Sequence, residues 1–429
     1  MAAPRPLASS SPSPGSPSFV AVPKPWLAGL LALVVVPWIV VGWIYFQAPT
    51  HESLGTPAGA PPPTGPERAA ATGPWGHLSL TPIVISPPLE YVPADWGREA
   101  PPEWAFPGAN PQVVTNFLSS VGLSPEQITV LSQRARPESR IQGVVIAPPA
   151  DLIRGLSPDV RAKLYTELSK TTLNFDQAQS FRFYGQSTPD WFDGTMMSAD
   201  TRRLVEPLVY KDGDFLHFAD AEAVRPLISQ PEERQYLAKA LLRNSTVLVR
   251  LSIDAPEEID GLANYWGIGG RRTDIRPLLE SISAANDNRL IDIVHLLPAF
   301  ARNHLYRYPK IQTMDLTRPL LANCLWSSLN FFENEPNDKF LDVNVALATL
   351  RNDYYVVEHG YQLGDVVALV DDEGDLFHVA VYLADGLTFT KNGTSPVAPW
   401  TIMSVDQLKQ FYRRRAENPR VIYHRLNSL

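Results

Sequence analysis

Residues Pro25 to Phe46 form an uncharged run made almost wholly of Leu, Val, Ile, Ala, Trp and Gly. At about 1.5 Å per residue, such a helix reaches the roughly 30 Å thickness of bilayer hydrocarbon. Trp26, Trp43 and Tyr45 sit near its ends, where aromatic side chains anchor at the interface. A cleaved leader usually has a shorter apolar core and an Ala-x-Ala site after it, and that pattern is missing here. The run therefore predicts a transmembrane helix over 25–46 that meets the lipid bilayer. Arg5 and Lys24 precede it without acidic neighbours. By the positive-inside rule, residues 1–24 are expected to be a cytoplasmic tail, with the rest outside the cytoplasm.

Proline sets the next boundary. Of 41 prolines, 15 fall between Gln47 and Gln112, interleaved with Gly, Ala, Thr and Ser. This composition predicts a disordered, extended linker over 47–111. The net charge of −8 and pI near 5.6 give no basic footprint for nucleic acid, which is not expected as a partner.

From 112 to about 310 the spacing predicts a mainly helical region of unassigned role. Ser124-Pro125-Glu126-Gln127 and Ser157-Pro158 place capping serines before proline at the first helical position. Glu232 to Arg243, Ile275 to Ile282 and Leu290 to Tyr306 read as helices by apolar period. Val205 to Phe218 reads as short strands about the turn Lys211-Asp212-Gly213-Asp214. Gly267-Ile268-Gly269-Gly270 lacks dinucleotide spacing and reads as a turn between helices. His295 and His304 are nine apart, not at the offset that presents two ligands on one helix face, so neither a metal nor a cofactor is expected.

Cys324 is the chain's one cysteine, so a disulfide within the chain is excluded and its role lies in packing or reactivity. Pro319 ends the preceding segment, and Leu325, Leu329 and Phe332 follow at helical spacing, which places Cys324 in the first turn of a helix. There the helix dipole favours the thiolate. Downstream, Leu363 to Val370 and Leu376 to Leu383 read as a hairpin about Asp371-Asp372-Glu373-Gly374, and Leu387 to Lys391 as a third strand. Strand alternation puts His378, Ala380 and Tyr382 on one face and Val379, Val381 and Leu383 on the other. His359 precedes a turn and competes weakly as a base, and Arg413-Arg414-Arg415 reads as a solvated helix face.

The order Cys324, then Gly364-Asp365 with an apolar strand, then His378-Val-Ala-Val-Tyr-Leu-Ala-Asp-Gly resembles the NlpC/P60 family of papain-like cysteine peptidases over 311–429. The resemblance implies an α+β fold, with a catalytic helix packed on an antiparallel sheet. It also implies Cys324 as nucleophile, His378 as general base and then acid, and a third polar residue, taken as Asn392, that orients the ring. Lys391 and Trp326 are expected to meet the substrate. The activity implied is hydrolysis of amide bonds in peptidoglycan peptides or another peptide substrate, by a membrane-anchored enzyme in a bacterial periplasm or envelope. The chain departs from the family at Asn323-Cys324-Leu325-Trp326, where Asp-Cys-Ser-Gly is usual. Two alternatives stand beside it: a transglutaminase-like acyltransferase, and a catalytically inactive envelope binding or scaffold protein.

Overall fold

The computed structural model describes residues 67–92, 101–285, 289–309, 322–393 and 397–429. All of these fall in one compact unit, Leu54–Leu429. Among the described residues no helix is long and apolar enough to cross a membrane. That corrects the expectation of a single-pass membrane protein with an N-terminal transmembrane helix; the run at 25–46 on which it was read lies outside the described residues. The mixture of helix and sheet fits the α+β class.

The C-terminal part is built on one antiparallel sheet of six strands, β1 (Tyr354–Val357), β2 (Val366–Val370), β3 (Leu376–Ala384), β4 (Leu387–Lys391), β5 (Trp400–Ser404) and β6 (Arg420–Leu426). Their order across the sheet is β1-β6-β2-β3-β4-β5. The β2–β3 hairpin pairs Val366 with Val381 and Leu369 with His378, as the acidic, glycine-bearing turn predicts. All five residues of β2 are buried, because both faces of the sheet are covered. One face, carrying Val366, Ala368, Val379, Val381 and Phe389, joins the main core. The other, carrying Val367, Leu369, Ala380, Tyr382 and Met403, packs on Leu408 of the helix Val405–Phe411 and on Phe215.

The Gly364-Asp365 pair that precedes β2 has a packing role. Gly364 has φ +95°, and a Cβ there would lie 2.3 Å from the Phe332 ring, so only glycine fits. Asp365 is fully buried and bidentate to Arg425 of β6, both N–O distances being 2.8 Å. It also accepts from Gln362 N at 2.9 Å.

The expected linker over 47–111 holds strands. His77–Ile85 pairs along its whole length with Asn244–Ser252 in a four-stranded sheet, flanked by Arg68–Ala69 and Leu290–Asp292. Leu78 and Leu80 enter the core beside Val249 and Leu251. Proline density hid an alternating strand: Pro82 lies where the short strand Arg68–Ala69 no longer pairs, the edge position at which a missing N–H is tolerated.

Residues 112–310 hold more helix than strand, and their strands enter the four-stranded sheet and two three-stranded sheets, one of which also takes in Trp104–Phe106. The capped helices Pro125–Gln133 and Pro158–Leu168 form as their serines predict. The strands Tyr210–Asp212 and Phe215–Phe218 flank the predicted turn. Leu290 to Tyr306 is not one helix. It divides into the strand Leu290–Asp292, a 3-10 turn Ile293–Leu296 and a helix Ala299–His304, because Pro298 restarts the chain at an N-cap. One cluster of buried side chains runs from Leu78 through Leu251 and Phe300 to Trp400, so 112–310 and 311–429 share a core. Thr246 ties the two large sheets, its hydroxyl donating to Ile402 O at 2.9 Å and accepting from Ile402 N at 3.0 Å.

Candidate active site

Asn323 has extended backbone, and its side chain accepts from Trp326 N at 2.9 Å. That cap starts the helix Cys324–Leu329 where the sequence predicts it, with Cys324 in the first turn. Cys324 is half-buried and packs with the cluster holding Val379, Val381 and Phe389. Burial raises the thiol pKa. The N–H of Val379, the amides of Leu325 and Cys324 and the Lys391 ammonium pull it down by less. The sulfur thus meets β3 one residue beyond His378. The β3–β4 ladder starts two residues further on, at Val381 and Phe389, and does not reach Val379.

His378 is 1% exposed. Its Nε2 lies 2.9 Å from Thr390 Oγ1, and its ring stacks on Tyr412 with centroids 4.4 Å apart. Thr390 Oγ1 donates to Asn392 Oδ1 at 3.2 Å. A hydroxyl has one proton to give, so Thr390 accepts from His378, and the ring carries its proton on Nε2. Nδ1 is then the basic nitrogen. Burial lowers the ring pKa to about 3, which keeps it neutral at neutral pH.

No hydrogen bond joins His378 to Cys324. Alternation directs His378 to the face of Ala380, Tyr382 and Tyr412, whereas Cys324 packs with the face of Val379 and Val381. Asn392 does not touch the ring either: its amide donates to Met403 Sδ at 3.0 Å, and it acts on His378 through Thr390. The orienting contact expected of Asn392 is made by Thr390. Sequence reading missed Thr390 and Tyr412. The hairpin register carried the signal for the first, since Tyr382 pairs with Thr388 and the even-numbered residues of β4 share His378's face.

Lys391 points the other way. It is 1% exposed, its Nζ donates to Gly393 O at 3.1 Å, and it lies 5.6 Å from the Trp400 ring. Burial lowers its pKa to about 7, against the opposing pull of Cys324. It is a buried neighbour of the thiol and not an open substrate contact. Trp326 is also buried, set edge-on to Phe300 at 5.1 Å and His304 at 5.8 Å, so its expected place at the substrate is filled by the core. His359 is exposed, two residues past the end of β1. Arg414, read as part of a solvated face, binds the buried Asp212 at 2.9 Å.

No protein-family model, curated protein or solved structure matches the chain.

Proposed function

We propose that the protein is a cysteine-dependent hydrolase of amide bonds. The observation that carries this is the placing of Cys324 in the first turn of a helix packed on β3, the strand that carries His378, whose Nε2 is fixed by Thr390 so that Nδ1 holds the free lone pair. That is the logic of a triad, in which a third group holds the base in one tautomer. The Cys324 thiolate attacks the carbonyl carbon, the C–N bond breaks, and the amine leaves with a proton. Water then cleaves the thioester and restores the thiol. His378 faces away from the sulfur across β3, so its service as base requires this end of the strand to rearrange when substrate binds, as catalytic hydrogen bonds often form only in the bound state. The substrates that the resemblance implies are peptidoglycan stem peptides.

A second reading, a binding protein without catalysis, draws on the missing Cys324–His378 hydrogen bond and on the raised thiol pKa. Release of amine from stem peptides and model amides, measured for the wild type and for Cys324→Ala, separates the two. The hydrolase reading expects turnover that Cys324→Ala abolishes while the fold is kept. Absence of turnover, or turnover that survives in Cys324→Ala, overturns it.

A further inference from the structure

We infer that His77, Asp254 and Glu258 form a binding site for one first-row divalent cation of the zinc type. The three come from separate parts of the chain. His77 opens the strand His77–Ile85 and pairs with Ser252. Asp254 lies two residues past the end of the partner strand Asn244–Ser252. Glu258 closes the 3-10 turn Pro256–Glu258 and caps the helix Ile259–Trp266. One ligand atom from each lies within 4.8 Å of the other two. A tetrahedral ion with ligands at about 2.1 Å holds them about 3.4 Å apart, so small side-chain rotations complete the site.

A second observation points to a ligand. Glu258 Oε2 is shut off from solvent and has no hydrogen-bond partner. A buried carboxylate oxygen left unsatisfied is costly, and an ion is one of the few things that explains it. Among the described residues no Lys or Arg side chain pairs with the carboxylate of Asp254 or Glu258. Arg289 donates to the Asp254 main-chain carbonyl at 3.3 Å, and the Asp254 carboxylate accepts only a hydroxyl, from Ser252 at 2.6 Å. Two carboxylates this close repel unless a cation lies between them.

The donor set decides the class. Calcium takes six to eight oxygens, so an imidazole argues against it. One nitrogen and two carboxylates suit zinc or manganese, with a remaining position for water. The ion clamps the start of His77–Ile85 to the helix Ile259–Trp266, which carries Leu262, Ala263 and Trp266 into the core. Trp266 Nε1 already donates across that junction to Trp75 O at 3.0 Å.

The test is equilibrium dialysis of the full chain against Zn2+, with thermal unfolding followed in parallel and Ca2+ as the comparison ion. One Zn2+ per chain and a raised unfolding midpoint are expected, with Ca2+ binding far more weakly. His77→Ala and Glu258→Gln, each folded by circular dichroism, should weaken Zn2+ binding at least ~10-fold. His359→Ala and Cys324→Ala should bind as the wild type does. No saturable Zn2+ binding, equal affinity for Ca2+, or affinity unchanged in both His77→Ala and Glu258→Gln overturns the assignment.

Discussion

His378 Nε2 lies 2.9 Å from Thr390 Oγ1, and both side chains are almost wholly buried. The histidine that the chain's pattern pairs with Cys324 is held instead by a threonine on the adjacent strand. Replacing Thr390 by valine keeps the shape and leaves Nε2–H without an acceptor. Loss of roughly 1–3 kcal/mol of stability is expected from an unsatisfied buried donor, read by urea unfolding. Thr390→Ser should restore most of it; equal losses in both variants would deny the hydrogen bond its role.

Burial of His378 makes the fold sensitive to acid. Its pKa is lowered from 6.5 to about 3 in the folded chain. Between those values the unfolded chain binds a proton that the folded chain refuses, so this group's contribution is complete above about 6.5 and is lost as pH falls toward 3. In His378→Phe the stability curve should be flatter across that window, measured by urea midpoints at stepped pH.

Lys391 acts at the other end of the scale. Its pKa falls from 10.5 to about 7 in the folded chain. The unfolded chain binds the extra proton between those values, so stability rises with pH from about 7 to 10.5 on account of this side chain. Lys391→Met should remove that rise. It should also slow alkylation of Cys324 by iodoacetamide near neutral pH, because the ammonium is one of the groups that favour the thiolate. An unchanged labelling rate would show that the two groups do not sense each other.

Asp365 and Arg425 form a buried bidentate pair. Arg425→Met strands a carboxylate that is fully buried, and a loss of about 3–5 kcal/mol is expected in chemical denaturation. The double variant with Asp365→Asn should recover part of the loss, since the uncompensated charge is then gone. If the double variant is no more stable than Arg425→Met, packing and not charge sets the cost.

The sequence by itself determined the local elements that its short-range chemistry encodes. Ser124 with Gln127 caps Pro125–Gln133, Asn323 caps the helix of Cys324, and the acidic turn after Val370 sets the hairpin of His378. Two-residue alternation also sorted His378 from Val379 correctly, because it depends on the strand alone. It misread the strand His77–Ile85 as linker, since proline content outweighed an apolar alternation whose partner lies 167 residues on, at Asn244 to Ser252. What only the tertiary structure decided is which groups face each other: that Thr390 takes His378, that Lys391 lies beside Cys324, and that His77 meets Asp254 and Glu258. Caps and periodicity act over a few residues and leave their mark in the sequence. Facing partners depend on register and sheet packing between distant segments, which no local pattern records.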